Sequence, residues 1–399
     1  MRWLILSICC IIQALCTIAL LSWGPLSPFL VTSFNITNTQ LGLFMTVGYL
    51  ASLLFSLPAG WLTDRVGIRL LLSISPGAMG VCYIVFSRLD TLSYAYVVVF
   101  FMGLSYVLIN PATVKALRLW FPTNMRGTAI SIKQGGVTLG GAAGAVILPI
   151  LSSRFGWRTG VVIVGLILMF GTIIGYVFYR DPPRIIAPVK VEPLQFRQLW
   201  SVVNNRDLLL LSLLGAGFTA IQQAISTHLV IYLVRVRFFS AIEAGTCLLI
   251  VNVAGTLGRI TWGVISDRLF QGQREPVLIM IGIIIGLLSL TIGFLGAMMP
   301  EWLFFVVVFS LGFTTHGWNG IYFTAVSEMT DDRVIGSGIG WSLTIVYLGI
   351  LVGPPLFGFI VDVTLSYTLA WLTFGIACGT CVLLLVPIRK KDITVLRNS

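Results

Sequence analysis

Three cations lie inside long apolar runs of this 399-residue chain: Lys115, Lys133 and Arg259. A charge within hydrocarbon is costly unless it faces a cavity or a partner, so each is a functional hypothesis by default. Each stands seven or eight residues from a polar marker, Pro122, Arg126 and Asp267 in turn. At helical rise that sets all three roughly 10–12 Å inside a membrane. The competing reading is snorkelling, in which a long stem carries the charge back to the interface. For Lys115 both readings stand, because Arg118 one turn on already marks the interface. Lys133 sits in "SIKQGGVTLGGAAGAV", where small residues suit tight helix contacts rather than lipid. Arg259 sits in "NVAGTLGRITWGVISDR" with Asn252 seven residues earlier on the same face. Its guanidinium is a planar fork for a carboxylate or another oxyanion.

The acidic residues are distributed differently, since all 14 Asp and Glu fall at predicted helix ends, loops or tails. Cations without intramembrane carboxylates imply an anionic substrate by charge complementarity. His316 is a deep group that titrates near neutral pH, so proton coupling and a neutral hydrogen-bonded histidine both stay open for it. Asn110-Pro111 predicts a helix break that frees backbone carbonyls. No G-x-x-x-x-G-K-[ST] loop appears, which argues against ATP drive. With neither a metal-ligand cluster nor a nucleophile beside a matched base, the chain reads as a binding protein without cofactor or catalysis. The seven cysteines, Cys378-x-x-Cys381 among them, read as small apolar packing residues.

The elements that position these groups follow from composition. Hydrophobic residues make up 57% of the chain and charged residues 10%, with a mean hydropathy of +0.99, far outside the range of soluble domains. Twelve runs are long enough to span a bilayer as helices: 3–31, 41–62, 68–88, 93–120, 127–152, 159–179, 207–234, 243–264, 277–298, 302–326, 335–360 and 367–387. Their length and continuity exclude barrel strands, which alternate in polarity. The opening "MRWLILSICC" runs on past signal-peptide length without a small-x-small site and reads as an uncleaved first helix.

The expected fold is therefore an all-α integral membrane protein of twelve transmembrane helices in two pseudo-symmetric six-helix bundles. The bundles cover 1–180 and 207–388, joined by a Pro-rich basic linker at 181–206 and followed by a tail at 389–399. Most of the 25 Lys and Arg collect on one side, leaving Arg88, Arg154, Arg158, Arg235 and Arg237 on the other. That positive-inside asymmetry puts both termini in the cytoplasm, with lipid around the helices. It explains the net charge of +11 without nucleic acid, for which no aromatic-basic module stands outside the helices.

A repeat crosses the linker. Gly60, Asp64 and Arg65 in "GWLTDRVGIR" match Gly263, Asp267 and Arg268 in "GVISDR" 203 positions later, and Arg126 in "FPTNMRGTA" is echoed by Arg333 in "EMTDDRVIG". Two six-helix halves related as parallel repeats are a transporter architecture. The loop Gly60, Leu62, Asp64, Arg65, Gly67, Arg69 resembles the G-x-L-x-D-R-x-G-R-[KR] motif of the major facilitator superfamily, with Leu70 where a second base is usual. The resemblance implies a charge-relay latch at Gly60, Asp64, Arg65, Arg69, Gly263, Asp267, Arg268, Arg126 and Arg333 that shuts the inner side. It also implies a cavity lined by the first, fourth, seventh and tenth helices, where Gln13, Asn110, Gln222, Gln223, His228, His316, Trp318, Asn319 and Tyr322 lie.

Arg259 resembles the eighth-helix arginines of monocarboxylate and oxalate/formate-type carriers, although "GR" before this loop is widespread and also suits the latch. "NPATVKALRLWFPTNMRGTAISIKQGGVTLGGA", "WNGIYFTAVSEM" and "LVGPPLFGFIVD" are similar to bacterial members near the cyanate and anion:cation symporter branches. The fourth helix lacks the R-x-x-Q-G of cationic-drug exporters. The fifth carries Gly136-x-x-x-Gly140-Gly141-x-x-Gly144, close to the antiporter pattern but with Gly141 in place of its Pro. The expected function is secondary transport of a small anionic metabolite across the bacterial cytoplasmic membrane, with a proton or other ion as the coupling partner. An amphipathic-drug exporter and a non-transporting sensor with the same fold are the alternatives.

Overall fold

The apolar runs are helices in the computed structural model, which describes residues 1–180, 203–330 and 335–385. Most of the expected linker, the expected tail and Arg333 lie outside those residues. The spans are Arg2–Phe34, Asn38–Val66, Ile68–Phe86, Leu92–Trp120, Thr123–Phe155 and Trp157–Phe178, then Arg206–Val236, Ala241–Arg268, Glu275–Leu295, Glu301–Glu328, Ile335–Thr364 and Tyr367–Cys381. No strand occurs among the described residues. Eleven of these helices are long and apolar enough to cross a membrane. The remaining run, the tenth, is cut into Glu301–Thr315 and Asn319–Glu328.

Local chemistry sets the ends. Thr37 and Gln40 form a reciprocal capping box at the start of the second span, and Ser240 with Glu243 does the same for the eighth, each satisfying backbone N–H groups that a helix start leaves unpaired. The second and third spans meet at one residue, Gly67, whose φ of 91° and ψ of 153° belong to a region essentially restricted to glycine. The motif glycine is thus a joint. The fourth span turns at Leu108, between helices Leu92–Val107 and Ile109–Trp120. That is just ahead of Asn110-Pro111, where the sequence predicts a break, and Pro111 supplies no N–H to the new first turn.

Helix pairing repeats six spans on. The first packs on the fifth, the second on the fourth and the third on the sixth. The seventh packs on the eleventh, the eighth on the tenth and the ninth on the twelfth. Buried apolar side chains gather in two clusters, one almost wholly from residues 5–179 and the other almost wholly from 208–385. The halves meet where the second span packs on the eleventh, the fifth on the eighth, and the first on the seventh.

We call the side of Arg2, Arg69 and Arg268 near, and the side of Asn38, Asp90 and Thr364 far. At the far side, turns are held by Arg158, which pairs with Asp90 at 2.5 Å and donates to the Ser87 carbonyl at 2.8 Å. Arg237 binds the Gly296 and Met299 carbonyls there. The tight contacts between the halves also lie from the midplane to the far end. A Cβ on Gly42 would fall 2.5 Å from Pro354 and Pro355 backbone atoms, and one on Gly358 would fall 2.2 Å from the Asn38 carbonyl. Near-side glycines of the interface helices, Gly135, Gly263 and Gly340, face open space instead. Among the described residues, the glycine contacts between the halves fall at the midplane and the far side, and these near-side glycines are uncovered.

Candidate functional site

Arg259 is anchored on the break in the tenth span. His316 ends the helix Glu301–Thr315 with φ −106° and ψ −8°, and its carbonyl accepts from Arg259 Nε at 3.0 Å. Asn319 Nδ2 donates to the same carbonyl at 3.4 Å. One edge of the guanidinium is thus fixed by backbone that the helix break leaves available, and the side chain is half-buried. No carboxylate pairs with Arg259 among the described residues. Beside it, His316 is buried, its Nε2 3.4 Å from Ser226 Oγ and its Nδ1 3.1 Å from Thr315 Oγ1. Trp318 Nε1 donates to Gln222 Oε1 at 3.1 Å, tying the break to the seventh span.

Lys133 is 0% exposed. Its ammonium donates to Asn110 Oδ1 at 2.6 Å and to Gln134 Oε1 at 3.0 Å, beside the thiols of Cys9 and Cys10 on the first span. Like Arg259, it has no carboxylate partner among the described residues. Burial answers the snorkelling question for Lys133: the charge stays inside the N-terminal bundle. Lys115 is used differently. It donates to the Thr63 carbonyl at 3.2 Å, joining the fourth span to the near end of the second beside the repeated motif.

A layer of tyrosines, which the sequence reading did not single out, lies deeper. Tyr49 and Tyr347 meet across the halves with ring centroids 6.4 Å apart, and Tyr106 lies beside both. Gln13 Nε2 donates to Tyr106 Oη at 3.0 Å, and Gln223 lies against Tyr49. Other expected lining residues point elsewhere. His228 is buried, stacks on Phe357 and hydrogen-bonds the Pro354 carbonyl at 2.9 Å. Tyr322 is 0% exposed, with its hydroxyl on Ser342 in the C-terminal core. Asn252 donates to the Leu248 carbonyl at 2.9 Å, and its Oδ1 is 2.9 Å from where a Cβ on Gly141 would stand. It marks the contact of the fifth and eighth spans.

The far side is clasped by an acid that hydropathy hides. Asp362, in the last turn of the eleventh span, accepts from Asn38 N at 2.9 Å and Asn38 Nδ2 at 2.7 Å, and from Thr39 N at 2.8 Å and Thr39 Oγ1 at 2.6 Å. Tyr367 Oη adds a bond to Asn38 Oδ1 at 3.0 Å. A carboxylate here satisfies the open N-terminal N–H groups of the second span and complements its dipole. Thr46 Oγ1 donates at 2.7 Å to the Leu351 carbonyl, whose helical donor would have been the absent N–H of Pro355.

The expected latch residues occupy near-side ends. Arg65 stacks over Trp61 at 4.5 Å. Arg69 donates to the Tyr176 carbonyl at 2.7 Å and lies over its ring. Arg126 donates to the Phe121 carbonyl at 3.1 Å. Asp267 pairs with Arg274 at 2.6 Å, and Arg274 with Glu328 at 3.2 Å, so the second motif copy ties the eighth span to the tenth. Burial works against the Arg274 charge, but the two acids outweigh it and hold the guanidinium above its ordinary range. Arg268 is exposed and Gly263 meets nothing. The side chains of Gly60 and Asp64, and all of Arg333, lie outside the described residues.

The family model for the Major Facilitator Superfamily matches residues 6–349. A hexuronate transporter of Bacillus subtilis is 24% identical over 88% of this chain and 85% of its own length. A membrane sensor protein of Salmonella typhimurium is 24% identical over 92% of this chain and 86% of its own. Among solved structures, a bacterial homologue of the human lysosomal transporter Spinster, inward-facing and unoccupied, aligns with a TM-score of 0.79 at 18% identity, covering 96% of this chain and 95% of that one. With its helices, paired halves and repeated loop, the chain is a multi-pass integral membrane protein that belongs to the major facilitator superfamily.

Proposed function

We propose that the chain carries a small organic anion across the membrane by rocking its two bundles about the midplane, with the near side cytoplasmic. The observation that carries this reading is Arg259. Its guanidinium is held by one edge on the His316 carbonyl, stands on a helix that packs across the halves, and has no carboxylate partner among the described residues. The Nη edge is left to an incoming oxyanion; Asn319 shares its carbonyl anchor, and Gln222, bonded to Trp318 at the same break, adds a polar group. The likeness to a hexuronate transporter supports a carboxylate as cargo. Basic residues crowding the near side support its placement in the cytoplasm, which makes the described conformation the inward-open one.

The test is counterflow of D-glucuronate, a hexuronate, in proteoliposomes of purified protein. Wild type should show saturable exchange, and Arg259→Ala should raise KM about tenfold or more, as expected for loss of a charge-assisted bond. Unchanged KM in both Arg259→Ala and Arg259→Lys sinks the assignment. Binding without exchange supports a sensor, and exchange of amphipathic drugs in place of anions supports an exporter.

A further inference from the structure

We propose that Lys133 is a positioning residue: its buried ammonium turns the amides of Asn110 and Gln134 so that their NH2 groups face the cleft. The result is a patch of donors opposite Arg259 that takes the oxyanion oxygens of the cargo. This rests on the transport reading and adds the other wall of its site, including Gln134.

The chemistry forces the amide orientation. An ammonium has three N–H donors and no acceptor, so its contacts with two carboxamides must be to their oxygens. Those contacts are at 2.6 Å to Asn110 Oδ1 and 3.0 Å to Gln134 Oε1. The NH2 of each amide then points away from Lys133. Lys133 is 0% exposed whereas Asn110 and Gln134 are both exposed, so the cation is sealed behind two amides and its positive end is relayed outward through them.

Helix register places the patch. On the fifth span Gln134 lies seven residues nearer than Gly141, and on the eighth Arg259 lies seven residues nearer than Asn252. Gly141 and Asn252 are one of the pairs that meet across these two helices, Ala145 and Gly245 being another farther on. Seven residues fall about 20° short of two full turns and advance roughly 10 Å. Gln134 and Arg259 therefore continue the facing edges of the two helices on the near side of that contact, one on each half. Asn110 stands one helical turn nearer than Tyr106, which belongs to the tyrosine layer. Asn110 Nδ2, Gln134 Nε2 and the Nη groups of Arg259 thus make a set rich in donors that suits oxyanion oxygens. Lys133 supplies the field and the orientation without touching the cargo.

A double-mutant cycle in D-glucuronate counterflow tests this, with each variant first shown to elute and melt as wild type does. Lys133→Met, apolar and similar in length, releases the amides and should raise KM about tenfold or more while kcat changes little. Asn110→Leu with Gln134→Leu should do the same. Adding Lys133→Met to that background should raise KM no further, because Lys133 acts only through the amides. Lys133→Glu should bind worse than Lys133→Met, since a carboxylate there accepts from the NH2 groups and turns the carbonyls outward. An additive penalty in the triple variant, or equal KM for Lys133→Glu and Lys133→Met, overturns the positioning role and leaves the transport reading intact. A wild type without saturable exchange overturns both.

Discussion

Replacing Asp362 by Asn should open the far side. The carboxylate receives four donors from the start of the second span, two on each oxygen. An asparagine keeps one oxygen for the Asn38 pair and sets an NH2 against Thr39 N and Thr39 Oγ1, which bond at 2.8 and 2.6 Å. Two charge-assisted bonds are lost, each worth about 1.5–3 kcal/mol in a buried setting. Because Asp362 is only half-buried, water recovers part of this, and about 2 kcal/mol remains once the lost helix-dipole term is included. Backbone contacts at Gly42 and Gly358 persist, so the clasp weakens without vanishing. About 2 kcal/mol is roughly thirtyfold in the ratio of far-closed to far-open molecules. Spin labels at Ser93 and Leu365, exposed far-side positions on opposite halves, read that ratio as a distance distribution. The variant should gain a longer-distance population. A distribution identical to the parent's, in a variant that melts normally, refutes the clasp.

Other consequences are open to measurement. Gly67→Ala forces a side chain into a backbone region kept for glycine and should cost about 1–3 kcal/mol, seen as a lower melting temperature in detergent; an unchanged melt counts against the joint. His316→Gln should keep the parent's transport profile between about pH 5 and 8, because both ring nitrogens are engaged by hydroxyls inside the bundle; a pH-dependent parent beside a flat variant would instead make His316 a coupling group. Asp64→Asn, chosen from the repeated loop, should lower transport while leaving membrane insertion intact, and wild-type rates would remove the latch.

The sequence made the large features readable because a bilayer is a strict solvent. Apolar runs must be helices, charges in them are rare enough to notice, and the repeated loop fixes the halves. Arg259 and Lys133 stand out for that reason; the structure bonds Arg259 to the His316 carbonyl and buries Lys133 behind Asn110 and Gln134. Lys115 illustrates the limit. Its partner is a backbone carbonyl at Thr63, and hydropathy carries no trace of a carbonyl 52 residues away. Asp362 is hidden for a related reason: the apolar run ends at 360, one turn short of the helix end, and the acid's donors are two backbone N–H groups and two neutral side chains, with no basic partner to signal it. Tyr49, Tyr106 and Tyr347 look like ordinary packing in apolar runs until three distant helices bring their hydroxyls together. The break at His316 to Trp318 contains no proline to announce it, unlike the one before Pro111.

On the proposed rocking motion, contacts at opposite ends of one helix keep both sides from opening at once. The second span, 29 residues from Asn38 to Val66, is roughly 43 Å long. It carries the Asp362 clasp at its far end, and Asp64 and Arg65 in its last turn at the near end. Its midpoint lies close to Tyr49, which meets Tyr347 of the eleventh span. A rigid helix pivoting at that contact cannot bring both ends to the other half together, so closing the clasp parts the loop. Gln134 and Arg259 stand on the near side of the Gly141–Asn252 contact, one on each half. On the proposed function, the positive charges of Lys133 and Arg259 repel each other across the halves and favour a near-open state, and an anionic cargo between them would reverse the sign of that force. Cargo binding would then draw the near walls together and strain the far clasp, coupling occupancy to the switch without a contact running from one gate to the other.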